Sequence, residues 1–369
     1  MGDNTKILDR RPQRRAGMPT APVKVMIVDD SLTVRSILSR MIDGEDDFEV
    51  VSKSSSAELA LKELKHTPVD VILLDLEMPG MGGLAALPKI LAAHDGIQAL
   101  VVSSLTEDGA EHTLKALSMG AADTMPKPRA GQFDALYCNA LFDKIRALGA
   151  RSSDRTAPKP VIRVPTVSAR LASNRSPKVI AIGGSTGGIH AMCQFLQNLD
   201  PHISLPILVT QHLPASFMSV FARQLEIASG RIAHVAENGM TLNKGELYIA
   251  PGTGHLSVEA RGDDLAAKIT HETATSGCTP SVDPMFRSLA KATDGRAIGV
   301  VFSGMGKDGS EGAVEFCESG GTILVQDQET CAVWGMPGSI AKKGLASAIL
   351  PPDELGKKLA ALLGSAAWK

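Results

Sequence analysis

The chain has 369 residues, of which 44% are hydrophobic and 21% charged, and a formal net charge of −2. This length suggests two domains of roughly 100–200 residues, each able to bury its own core. The near-neutral charge excludes a wholesale nucleic-acid binder, which needs a strongly basic domain, and no apolar run approaches the ~18–20 residues that cross a bilayer.

Residues 1–22 carry Arg10, Arg11, Arg14 and Arg15 without an apolar segment among them. They read as a disordered tail, not a signal peptide. The cysteines (Cys138, Cys193, Cys278, Cys317 and Cys331) are odd in number and form no C-x-x-C pair. Free thiols in a reducing, cytoplasmic setting are the expectation.

From Val23 to Ala147 short apolar strands alternate with helices. Strands are expected at Val23–Val28, Phe48–Val51, Val69–Leu74, Ala99–Val102 and near Asp123–Met125. Helices are expected at Ser31–Ile42 with Ser31 as N-cap, at Ala57–Lys65, near Gly109–Met119 and at Gln132–Ala147. Such a pattern implies a parallel sheet covered on both faces, with its ligand site beyond the strands' C-terminal ends.

Those ends carry chemistry. Strand one ends in Asp29-Asp30, strand three in Asp75, strand four in Ser103-Ser104, and Lys127 follows strand five. Any one of them alone would read as a helix cap or a strand end. Together they crowd carboxylates that a cation must neutralise, and Mg²⁺ suits such oxygen ligands. Asp75 would then be a nucleophile forming an acyl phosphate. Lys127 would pair with the phosphoryl charge, and the Ser103 hydroxyl would hydrogen-bond to it.

The run Asp75-Leu76-Glu77-Met78-Pro79-Gly80-Met81-Gly82-Gly83 has the form D-x-x-M-P-x-M-x-G and resembles the response-regulator receiver domain. The resemblance implies a flavodoxin-like doubly wound sheet. It also implies phosphorylation of Asp75 by a histidine kinase, with Mg²⁺ held by Asp29, Asp30 and Asp75. Thr124 stands where receivers commonly carry an aromatic switch residue.

Residues 148–177 read as a basic linker. Between 151 and 177 there are six basic residues, one acid and no aromatic, too little apolar surface to offset the entropy of ordering. After Lys178 a second α/β pattern begins. Its strands are expected at Val179–Ile182, Ile207–Thr210, Glu246–Ala250, Ala297–Phe302 and Thr322–Val325.

Val179–Ile182 runs into Gly183-Gly184-Ser185-Thr186-Gly187-Gly188, a G-x-S-x-G turn that would expose the Ser185 hydroxyl at a helix start. A dinucleotide-binding loop, hence a nicotinamide-dependent oxidoreductase, is the alternative. It expects an acid at the end of the next strand to hold a ribose, and that strand ends in Gln211-His212. His212 suits a general base at neutral pH. Asp308, in the glycine-rich Ser303–Gly309 loop, would orient it, and the Met305 backbone N–H would face an oxyanion. Asp283 is the rival acid, although its place at a helix start favours capping.

The set G-G-S-T-G-G, Q-H-L-P, P-S-V-D (280–283), G-M-G-K-D-G (304–309) and W-G-M-P (334–337) resembles the catalytic domain of the CheB family of chemotaxis methylesterases over about Lys178–Leu363, within a second domain expected at residues 178–369. The resemblance implies a doubly wound α/β domain that hydrolyses glutamyl methyl esters on chemoreceptors, releasing methanol, and deamidates particular glutamines. Ser185, His212 and Asp308 would form its triad, with no cofactor for hydrolysis. A monomer without nucleic-acid or membrane partners is expected. One departure is Cys278, where the family pattern leads us to expect a histidine.

Overall fold

The computed structural model describes residues 21–104, 107–128, 135–156, 170–173 and 175–364. The arginines of the expected tail, at positions 10–15, and residues 157–169 of the expected linker lie outside these.

The first domain alternates β1 (Val23–Val28), α1 (Leu32–Ile42), β2 (Phe48–Ser54), α2 (Ala57–Glu63), β3 (Val71–Leu74), α3 (Gly82–Leu91), β4 (Gln98–Ser103), α4 (Glu107–Ser118), β5 (Asp123–Pro126) and α5 (Ala135–Thr156). All pairings are parallel, in the order β2-β1-β3-β4-β5. Residues on both faces of β1, β3 and β4 are buried, as a sheet between two helical layers requires. Ser31 caps α1, its hydroxyl accepting from the Val34 N–H.

Two elements depart from expectation. The helix α3 was absent from the sequence pattern because Gly82, Gly83 and Pro88 are poor helix formers; burial of Ala86, Leu87 and Ile90 overrides that preference. Helix α5 runs nine residues past Ala147, since Leu148 continues the buried face of Leu141 and Ile145. Residues 170, 173 and 175 are also tied down. The Arg170 N–H donates to Ala346 O, Ser173 N–H to Thr322 Oγ1, and Arg175 pairs with Asp294.

The second domain comprises β6 (Val179–Gly184), α6 (Gly188–Gln197), β7 (Ile207–Gln211), α7 (Met218–Ser229), β8 (Ala233–Val235), β9 (Leu247–Ile249), β10 (His255–Arg261), β11 (Asp264–Thr270), α8 (Val282–Ala292), β12 (Ala297–Val301), α9 (Gly312–Glu318), β13 (Thr322–Gln326), α10 (Met336–Lys342), β14 (Ala346–Leu350) and α11 (Pro352–Gly364). Seven strands form a parallel sheet in the order β14-β13-β12-β6-β7-β9-β8, and β10 and β11 form a separate antiparallel hairpin. Edge strands β8 and β14 and the hairpin are additional to the five expected strands. The sheet order reverses beside β6, and Ser185 follows β6 at that switch point.

The two domains meet through α4, which lies against α6, α7 and the short turn Ala215–Phe217. Leu114, Leu117 and Ala121 belong to the same continuous apolar cluster as Ile189, Phe217 and Met218.

Candidate active site and phosphoacceptor pocket

In the first domain Asp29, Asp30 and Asp75 converge, with one carboxylate oxygen from each lying within 4.8 Å of the others. Lys127 Nζ stands 2.6 Å from Asp75 Oδ2 and 3.7 Å from Asp29 Oδ2. Burial pushes the Asp29 and Asp75 carboxyls up, against the pull of Lys127. Burial is the strongest single influence on the Lys127 ammonium and works to lower it, but the bond and charge of Asp75, with Asp29 and Asp30, together hold it above its usual value. Among the described residues, Asp29 Oδ2 is buried without a hydrogen-bond donor. The 3.7 Å approach of Lys127 is an ion pair, too long for a hydrogen bond.

The motif glycine Gly83 is there for space, since a Cβ would sit 1.9 Å from Asp75 O. Ser103 is buried, and its Oγ accepts a 2.7 Å bond from Thr113 Oγ1 on α4. That partner was not foreseen.

In the second domain Ser185, His212 and Asp308 all lie past strand ends. Gly184 pairs with Gln211 across β6 and β7, so Ser185 and His212 follow adjacent strands. Gly187 has φ +79°, which turns the chain into α6. Ser185 is held by its backbone, its N–H donating to Ser303 O at 3.0 Å and its C=O accepting from Gln211 Nε2 at 2.9 Å. The side chain of Gln211 thus braces the Ser185 turn. The Ser303–Gly309 loop packs directly on Ser185, for a Cβ on Gly304 would lie 2.9 Å from Ser185 Cβ.

His212 Nε2 and Asp308 Oδ2 are 2.8 Å apart, with side-chain exposures of 16% and 2%. A carboxylate can only accept, so Nε2 carries a proton, and in the neutral ring Nδ1 offers a lone pair. Burial by itself would lower the His212 pKa. The bond to Asp308, with a smaller influence from the Cys278 thiol, outweighs it and raises the pKa to about 9. For Asp308 burial works upward, but the bond from His212 and those from Ser281 and Val282 hold its carboxyl below the usual range. Among the described residues the Ser185 hydroxyl has no hydrogen-bond partner, and no bond joins it to His212. The backbone N–H groups of Met305 and Thr186 are likewise without an acceptor among the described residues.

Asp283, the rival acid, caps a different helix from the expected one. Its Oδ1 accepts from the Glu311 and Gly312 N–H groups at 3.1 and 2.6 Å, at the start of α9.

The first domain touches the Ser185 turn itself. The Gly187 N–H donates to Ala122 O at 2.6 Å, Thr186 Oγ1 hydrogen-bonds the Asp123 carboxylate, and His190 Nδ1 faces Ser118 O at 2.7 Å. Arg223 on α7 pairs with Glu111 on α4 at 3.0 Å.

Comparison with known proteins bears on what these sites do. Residues 25–135 match the response regulator receiver domain family and residues 180–359 match the CheB methylesterase family. A protein-glutamate methylesterase/protein-glutamine glutaminase 2 from Caulobacter vibrioides is 41% identical over 349 residues, covering 94% of this chain and 100% of the relative. The protein-glutamate methylesterase/protein-glutamine glutaminase of Azospirillum brasilense is 38% identical, covering 94% of this chain and 95% of the relative. The crystal structure of the Thermotoga maritima CheB methylesterase catalytic domain is 34% identical, covers 51% of this chain and 100% of its own, and superposes with a TM-score of 0.49. The nicotinamide-dependent alternative finds no support in these matches. Among the described residues no helix is long and apolar enough to cross a membrane. Identity at this level over the full length of a relative means that the chain belongs to the CheB methylesterase family, with a response regulator receiver domain ahead of the catalytic one.

Proposed function

We propose that this chain is a phosphorylation-controlled serine hydrolase that demethylates glutamyl methyl esters and deamidates glutamines of chemoreceptors in the cytoplasm, serving adaptation in chemotaxis. The observation that carries the reading is the His212–Asp308 pair, its carboxylate buried, following the strands next to that of a serine on a G-x-S-x-G turn, in a chain 41% identical to a methylesterase/glutaminase.

Ser185 Oγ attacks the ester carbonyl while His212 Nδ1 takes its proton. The resulting oxyanion is met by the unpaired N–H groups of Met305 and Thr186. Collapse expels methanol, or ammonia from an amide, with the proton returned by His212, and leaves an acyl-enzyme. Water then attacks by the same route, releasing glutamate and restoring Ser185. Asp308 keeps the histidine in the tautomer with its proton on Nε2 and stabilises the imidazolium.

Asp75 is the phosphoacceptor, taking the phosphoryl group from a histidine kinase. The unsatisfied Asp29 Oδ2 and the raised carboxyls fit a site that binds Mg²⁺ through Asp29, Asp30 and Asp75. When bound, Mg²⁺ would neutralise these carboxylates and the phosphoryl oxygens. Lys127 would move from Asp75 to the phosphoryl group. Ser103 accepts from Thr113 and keeps its own O–H to donate, so its turn toward the phosphoryl group would pull on the Thr113 bond and on α4 at the interface with α6 and α7.

The test is methanol release from methylated receptor by the wild type, Ser185→Ala and Asp75→Ala, each with and without a small phosphodonor. The expected result is no activity in Ser185→Ala and no phosphodonor response in Asp75→Ala. Full activity in Ser185→Ala would remove the central claim.

A further inference from the structure

Asp308 is bound by more than the histidine it orients. Its Oδ1 accepts a 2.6 Å bond from the Ser281 hydroxyl, and its Oδ2 accepts from the Val282 N–H at 2.8 Å. Ser281 is fully buried and is also the N-cap of α8, its oxygen accepting from the Asp283 N–H at 3.3 Å. Donating to Asp308 and accepting from Asp283 use the hydroxyl in both senses.

Ser281 is in turn held by His255. The Ser281 N–H donates to His255 Nδ1 at 3.0 Å, and His255 Nε2 faces Glu272 O at 2.7 Å. An N–H can only donate and a carbonyl can only accept, so His255 is a neutral ring with its proton on Nε2. A fixed chain therefore runs from Glu272 O through His255 and Ser281 to Asp308 and His212. It joins the β10–β11 hairpin and α8 to the loop after β12.

We infer that Ser281, set in place by His255, is a positioning residue for the hydrolytic reaction: its hydroxyl fixes Asp308 and tempers the carboxylate's hold on the His212 proton. This rests on the reading of His212 as base and Asp308 as its partner. Without the hydroxyl, Oδ1 would lose its donor in a site only 2% exposed. The carboxylate would then grip the proton of its remaining partner harder, and His212 would give up its charge only at higher pH. The other titratable groups facing the pair are the Cys278 thiol and the Asp283 carboxylate, the latter already held by Glu311 and Gly312. Substitution at 281 leaves both in place.

The test compares the full, phosphodonor-activated chain with Ser281→Ala and Ser281→Gly, following kcat/KM for methyl-ester cleavage from pH 6 to pH 10 alongside thermal melts. Glycine is nearly as good an N-cap as serine, so Ser281→Gly removes the hydroxyl while largely sparing the cap. The rising limb of the profile should move up by about one pH unit in both variants. That is roughly tenfold lower kcat/KM at pH 7, with the deficit shrinking as pH rises. An unmoved limb, or a loss equal at every pH, would overturn the inference. If instead the wild type has no rising limb that depends on His212, the reading of the site itself fails.

Discussion

The pH dependence of hydrolysis is the most direct consequence of the site. Against the lowering effect of burial, the bond to Asp308, helped by the Cys278 thiol, raises the His212 pKa from 6.5 to about 9. At 1.36 kcal/mol per unit this is about 3 kcal/mol of preference for the imidazolium over the neutral ring. At pH 7 only about one molecule in a hundred then carries the neutral base that Ser185 needs. In the full chain with phosphodonor, kcat/KM should rise about tenfold per pH unit from pH 7 and level off near pH 9. Methanol release from methylated receptor measures it, with Ser185→Ala supplying the correction for alkaline hydrolysis of the ester. In Asp308→Asn the limb should fall toward 6.5, while the plateau drops by roughly 10²–10⁴. The same pair sets a stability trend. His212 has a raised folded pKa, so its contribution is fully present below 6.5 and is lost as pH rises through about 9. A wild-type limb near 6.5, unchanged in Asp308→Asn, would refute the assignment of Asp308 as the partner that controls His212.

Other perturbations address the remaining features. Thr113→Val removes the donor to Ser103; basal methylesterase activity should rise and the further gain on adding phosphodonor should shrink, whereas an unchanged ratio would disconnect α4 from the switch. Gly309 has φ +82°, and an added Cβ would stand 2.8 Å from Val282 Cγ1, whereas Gly306 has φ +75° in open space. Both alanine variants should lose about 1–3 kcal/mol, but Gly309→Ala should melt lower than Gly306→Ala; equal midpoints would count against the clash. Millimolar Mg²⁺ should raise the melting temperature of the wild-type chain and leave Asp29→Asn little changed; an equal gain in both would remove Asp29 from the metal site.

The sequence displays some of this architecture more openly than the rest. The acidic pocket is legible because each of its residues follows a short apolar strand in a parallel sheet, where strand ends and ligand site coincide. The order β6, β7, β12 likewise brings Ser185, His212 and Asp308 to one edge although more than a hundred residues separate the first from the last. The β10–β11 hairpin has its signal in the sequence too: Arg261 pairs with Asp264 across the two-residue turn Gly262-Asp263, with Gly262 at φ +64°. Helix α3 was hidden by its own glycines and proline. The roles of Ser281 and His255 had no such signal. Ser281 lies in a quoted motif, but its hydroxyl finds Asp308 only once α8 packs beside the loop after β12, and His255 enters from a hairpin outside the main sheet.

Least legible of all is the contact between the domains, and physical reasons explain why. Ser118, Ala122 and Asp123 are ordinary residues at the end of a helix and the start of a strand, and two of the contacts use only their backbone carbonyls. No charge run or aromatic cluster marks them. Such an interface also suits a switch. A net hydrogen bond contributes about 0.5–1.5 kcal/mol, and an exposed ion pair such as Arg223–Glu111 contributes less. Moving a closed population from 99% to 1% requires about 5.5 kcal/mol of differential stabilisation. Contacts to a phosphoryl group from Lys127 and Ser103, transmitted to α4 through the Ser103–Thr113 bond, are of the size that can shift such a balance. A larger, fully apolar interface would have been easier to recognise in the sequence and harder for one phosphoryl group to open.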